Sequence, residues 1–127
     1  MSQRMLPREE FEQLVAQALD DLPAYFQNKM NNVEVLVETW PTREHLRSAG
    51  AQPGSTLLGL YYGVPLTQRT QGYALVPPDT ITLFQGPIEQ VYRTPDRIRA
   101  GVKHTVIHEL AHHFGISDDR LRELGVY

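Results

Sequence analysis

The sequence contains no cysteine, and its 127 residues show little excess of either charge, with 12 Lys and Arg against 15 Asp and Glu. The absence of cysteine excludes disulfide frameworks, thiol nucleophiles and metal sites with cysteine ligands. Because binding to nucleic acid requires a basic surface, the net charge of -3 argues against a nucleic-acid partner.

Long apolar runs are also absent, since no stretch approaches the roughly 18 residues that a membrane span needs. The first ten residues include Glu9 and Glu10, where a signal peptide requires an apolar segment. We therefore expect a cytoplasmic protein that does not bind membranes. The sequence leaves the oligomeric state open.

One domain over residues 1–127 is expected, because the chain has no internal repeat and no linker long enough to divide it. Apolar spacing, proline and glycine predict the secondary structure. The segment 63–76 is interpreted as a hairpin or a loop with short strand pieces. Helices are predicted from Pro7 to before Pro23 and at 24–30, 42–48, 95–114 and 118–124, with strands at 33–38, 57–62 and 80–84. This order, a helix followed mainly by strands and then by helices, predicts an α+β domain.

Four of the five histidines lie within one stretch of ten residues inside the predicted long helix: His104, His108, His112 and His113. His108, Glu109 and His112 form the pattern H-E-x-x-H. Residues i and i+4 of a helix differ by only about 40° in direction and about 6 Å along the axis, so two imidazoles can converge on one cation. Glu109 projects from the same side, towards a water on that ion. The opposite face is apolar and predicted to pack on the sheet: Val106, Ile107, Leu110, Ala111 and Phe114.

The residues after this helix extend the motif. Gly115 stands where a left-handed C-cap residue ends a helix, and such a cap reverses the chain. A side chain three residues later, Asp118, can then turn back towards the imidazoles. The complete pattern H-E-x-x-H-x-x-G-x-x-D is expected by chance roughly once in 20,000 sequences of this composition. The sequence therefore predicts a metal site at His108, His112 and Asp118.

Simpler interpretations of these residues remain open. Asp118 is also suited to the first turn of a helix capped by Ser117, because an acid there interacts favourably with the helix dipole. Asp119 is a competing ligand. His104 is either a spare ligand or an exposed neighbour, and His113 points about 100° away from His112 and is not expected to contact the metal.

The chain resembles the small, single-domain zincin-like metallopeptidases of bacteria, a family long listed as of unknown function. The resemblance implies a compact zincin-like core, with a small mixed β-sheet packed against the H-E-x-x-H helix. It also implies that His108, His112 and Asp118 hold Zn²⁺ and that Glu109 is the catalytic acid and base. It rests on residues 11–15, 18–23, 63–67, 78–84, 86–88 and 104–118.

The leading interpretation is a zinc-dependent metalloendopeptidase with a peptide or protein substrate, in which Glu109 takes a proton from a metal-activated water. A carboxylate ligand makes the site more tolerant of Mn²⁺ or Mg²⁺. If Thr80–Phe84 is an exposed sheet edge, it can bind substrate by strand addition; otherwise it is an ordinary strand. The alternative function is a metal-binding or regulatory module with little or no peptidase activity, which needs the ligands but not Glu109.

Overall fold

The computed structural model describes residues 5–51, 56–64 and 77–126. Most of the predicted hairpin or loop at 63–76 lies outside these ranges. Over the described residues the chain forms six helices and three strands, in the order α1 (Arg8–Asp20), α2 (Ala24–Lys29), β1 (Val33–Glu38), α3 (Arg43–Ser48), β2 (Gly59–Tyr62), β3 (Asp79–Phe84), α4 (Gln85–Tyr92), α5 (Pro95–Phe114) and α6 (Asp118–Glu123).

The three strands form one mixed sheet in the order β1-β3-β2, which confirms the α+β class. β1 pairs parallel to β3, with Val33 opposite Asp79, and β2 pairs antiparallel to it, with Gly59 opposite Leu83. The hypothesis that Thr80–Phe84 is an exposed edge is therefore wrong, because β3 is the central strand. Its backbone hydrogen-bonding groups face β1 on one side and β2 on the other, so no substrate strand can pair with it.

Helix α4 was not expected, because the sequence Gly86-Pro87 is typical of a turn. Pro87 is the third residue of this helix. The first N–H groups of a helix have no partner within it, so a proline in the first turn removes no hydrogen bond. Gly86 fits because the Trp40 ring packs against it; an added Cβ would lie 2.6 Å from that ring.

The core lies between α5, α1 and the sheet. Helix α5 begins at the Thr94 cap, whose side chain accepts from the Arg97 N–H, and it runs for 20 residues. The prediction that this helix has an apolar packing face is confirmed for four of the five residues; Phe114 is 43% exposed. Buried side chains from the three elements meet there: Phe11, Val15, Ala18, Ile81, Leu83, Ile98, Val102, Val106 and Leu110. Since fully burying one such side chain contributes about 1.5–3 kcal/mol, this packing fixes which face of α5 points outward.

Helix α5 ends at Gly115, which has the predicted left-handed conformation (φ 67°). The Ile116 N–H donates to the Ala111 carbonyl at 2.8 Å, and α6 begins at Asp118 after the Ser117 cap. The local reversal predicted from Gly115 is thus present.

We expect Gly115→Ala to lower the free energy of unfolding by about 1 kcal/mol, because a side chain disfavours the left-handed conformation. Gly50→Ala is a matched control, since Gly50 also has a positive φ of 66° and no atom within 4 Å of an added Cβ. Denaturant unfolding should show similar losses for both variants. If Asp118 is the zinc ligand that the sequence predicts, zinc affinity, measured by chelator competition, should fall only for Gly115→Ala, because Gly115 orients the chain that carries Asp118. Equal zinc affinities in both variants would contradict this role.

Candidate metal centre

The outward face of α5 places His108 and His112 side by side. Their ring centroids are 6.1 Å apart, with an angle of 35° between the planes, and both side chains are exposed. Because a Zn–N bond is about 2.0–2.1 Å long, two imidazoles on one zinc ion have centroids roughly 5–6 Å apart. The distance between the two rings is therefore compatible with one cation held between them.

Glu109 lies between this helix and the sheet. Its Oε1 accepts a hydrogen bond from the Tyr61 backbone N–H of β2 at 3.1 Å. Burial raises the pKa of the Glu109 carboxyl above its ordinary value of 4.5, and the Tyr61 N–H together with His108 and His112 partly offsets this rise. A carboxyl group with a raised pKa is a stronger proton acceptor than an exposed one. The structure thus holds a basic carboxylate beside the two imidazoles.

The side chain of Tyr61 is fixed by contacts with Asp79 and His113. Its hydroxyl donates to Asp79 Oδ2 at 2.5 Å, and the Val64 N–H donates to Asp79 Oδ1 at 2.8 Å. The Tyr61 ring stacks on His113 at a centroid distance of 3.9 Å and an angle of 17°. His113 is thus part of the support for Tyr61, and Nε2 of His113 lies 4.0 Å from Asp79 Oδ2.

These supporting residues were missed in the sequence. Tyr61 and Glu109 are 48 residues apart, and no motif spacing connects them. The available signal was the position of Tyr61 in a predicted strand, but six tyrosines in the chain offered no way to choose among them.

Asp118 lies in the first turn of α6 and is exposed. The structure does not bring it together with the imidazoles: within residues 5–51, 56–64 and 77–126, no three His, Asp or Glu side chains are placed to hold a metal ion. The ligand set therefore stays a prediction. Asp119 is paired with Arg122 Nη1 at 3.1 Å, whereas the Asp118 carboxylate contacts no cationic group of the described residues, so Asp118 is the freer of the two to turn towards His112.

A cleft of about 330 Å³ lies beside His108, on the side of His104, and reaches Glu109. It is lined by Thr56, Leu57, Leu58, Gly59, Tyr92, His104, Thr105, His108 and Glu109. The donors nearby are imidazole nitrogens and carboxylate oxygens, which are the ligands that catalytic zinc sites use. The chemistry of these residues therefore fits a zinc ion.

Comparisons with known proteins agree with this chemistry. The sequence profile of the family described as zincin-like metallopeptidase matches residues 30–126, well over half of the chain. The match begins directly after α2. No curated protein matches at a significant level.

A solved structure, that of a conserved hypothetical protein from Thermus thermophilus, is similar with a TM-score of 0.55. The similarity covers 86% of this chain and 94% of that chain at 22% identity, so it concerns the fold alone.

None of the helices in the described part of the chain has the length and apolar character that a membrane span needs.

Glu109→Gln should stabilise the metal-free protein at neutral pH. Because the pKa of Glu109 is higher in the folded protein than in the unfolded chain, the folded state binds more protons, and wild-type stability falls as the pH rises from 4.5 through the raised pKa. The glutamine of the variant does not titrate, so the stability difference should appear above this range and vanish below it. Urea unfolding in excess chelator measures this difference, with Glu34→Gln, at an exposed position of β1, as the control. If the stability difference between wild type and Glu109→Gln is the same at every pH, the pKa of Glu109 is not raised in the folded protein.

Proposed function

This chain belongs to the zincin-like metallopeptidase family, and we propose that it is a zinc-dependent peptidase in which Glu109 is the general base. The observation that carries the proposal is the position of Glu109. Its carboxylate is anchored by the Tyr61 N–H at 3.1 Å and follows directly after His108 on the helix that also carries His112.

His108, His112 and Asp118 are the proposed ligands of Zn²⁺. Two imidazoles and one carboxylate leave a fourth position open, as in catalytic sites. The exposed Asp118 can change rotamer without losing an ion pair to any described residue. A carboxylate ligand also makes Mn²⁺ or Mg²⁺ more acceptable. The zinc ion supplies Lewis acidity, which polarises a carbonyl group and makes water more acidic.

The role of Glu109 is to accept a proton from the attacking water and to deliver it to the leaving amine. Since Oε1 accepts from the Tyr61 N–H, Oε2 is the oxygen proposed to carry the proton. Partial burial reduces the solvation of the carboxylate and so makes it a stronger base. The Tyr61 bond keeps the carboxylate in place as the proton comes and goes.

A peptide or protein substrate is proposed to lie in the cleft beside Leu58 and Gly59, which leads to His108 and Glu109. Tyr61 directs its N–H away from β3 and towards Glu109, so this side of β2, rather than β3, faces the reacting groups.

We expect Glu109→Gln to lower peptidase activity at least about 100-fold, the typical contribution of general acid–base catalysis, while zinc affinity stays within a few fold. Cleavage of denatured proteins and peptide libraries would be measured with Zn²⁺, Mn²⁺ and Mg²⁺, with Glu34→Gln, at an exposed position of β1, as a matched control. If the wild type cleaves nothing with any metal, or if Glu109→Gln is equally active, the peptidase proposal is wrong; the first result favours a metal-binding module.

The third ligand is tested by a second pair of variants. Asp118→Asn should weaken zinc binding at least about tenfold, because even the loss of a residue that only supports a ligand has an effect of this size. Asp119→Asn is the matched control, since it is adjacent, exposed and engaged by Arg122, and it should change affinity less than threefold. A larger effect at Asp119 would assign the ligand to that residue instead.

A further inference from the structure

We propose that His104 and His108 form a second binding site for a divalent transition-metal ion, one that overlaps the site at His108 and His112 and cannot be filled at the same time. The position of the first site rests on the proposed function. The second site is carried by residues that neither the H-E-x-x-H motif nor the catalytic proposal uses as a pair.

The geometry of the two pairs is nearly the same. The rings of His104 and His108 have centroids 6.5 Å apart and planes inclined by 20°, compared with 6.1 Å and 35° for His108 and His112. Both pairs have the i, i+4 spacing at which two imidazoles on a helix can bind one ion. The three rings therefore form a continuous row along α5, and an ion has two adjacent positions in it.

The surroundings of His104 leave its nitrogens available. The side chain is exposed, and no described residue forms a hydrogen bond or ion pair with it. His104 and His108 line the same cleft of about 330 Å³, together with Tyr92. The two imidazoles of the second pair thus reach a common space that an ion can enter from solvent.

Two features make the second site weaker than the first. Lys103, next to His104, lines an adjoining cleft of about 250 Å³, and its positive charge opposes a cation. Asp118 follows the C-terminal end of α5, so along the helix it is closer to His112 than to His104. The second site therefore lacks the carboxylate proposed to complete the first.

An ion in the second site lies on a different side of His108 from an ion in the first, although Glu109 lines the same cleft as His104 and His108. With about 100° per residue, His104 lies about 40° to one side of His108, whereas His112 and Glu109 both lie to the other side. Since one nitrogen of His108 binds one ion, filling the second site removes a ligand from the first, and the share of the protein in each arrangement depends on the ratio of the two affinities.

The test uses Zn²⁺ alone, with affinity measured by competition with a chromogenic chelator. His112→Gln should bind zinc at least about tenfold more weakly than wild type but still measurably. Adding His104→Gln should reduce the affinity at least another tenfold. His112→Gln with His45→Gln is the control, because His45 lies on α3 rather than on α5, and it should resemble His112→Gln alone.

Nuclear magnetic resonance of the imidazoles provides an independent readout. In His112→Gln, zinc should shift the ring signals of His104 and His108 together and leave those of His113 unchanged. The proposal is overturned if His104→Gln changes the affinity of His112→Gln less than twofold, or if the His104 signals do not respond. Failure of the proposed first site has a different result: His112→Gln would then bind zinc as tightly as wild type.

Discussion

The hydrogen bond between the Tyr61 N–H and Glu109 Oε1 joins the sheet to the helix that carries the imidazoles, and the candidate centre depends on it. The bond requires β2 to pair with β3 and α5 to pack its apolar face inward. It also requires the Tyr61 side chain to be fixed by Asp79 and His113. The bond therefore ties the folded core to a carboxylate whose pKa is raised by the same burial.

Much of the fold could be predicted because the signals are local. The spacing of α5 and the left-handed Gly115 are read within a few residues of sequence, and β1 begins and ends where its alternation does. The errors concern information that is not local. Whether β3 is central or at an edge depends on two strands far away in sequence, and α4 was missed because Pro87 is compatible with either a turn or a first helical turn.

The same distinction applies to the site. The spacing of His108, Glu109 and His112 predicts that they share one side of a helix; the structure places the rings of His108 and His112 6.1 Å apart and bonds Glu109 to Tyr61 of β2. The direction of the Asp118 carboxylate is a question of rotamer on an exposed residue, which spacing does not determine. His104 extends the row of imidazoles by one turn, because it has the same i, i+4 spacing to His108 as His108 has to His112. Because three histidines on α5 repeat the i, i+4 spacing, an ion has two possible positions on the helix. The proposed third ligand, Asp118, is then what favours one of these positions over the other.

The account is tested most directly by a crystal structure of the zinc-loaded protein, with anomalous scattering at the zinc edge to locate the ion. The account predicts one strongly bound zinc with a nitrogen of His108, a nitrogen of His112 and an oxygen of Asp118 within about 2.0–2.2 Å. Glu109 should remain bonded to Tyr61 and outside the ligand shell. A zinc ion bound away from these imidazoles, or one that takes Glu109 as a direct ligand while Asp118 points to solvent, would contradict it.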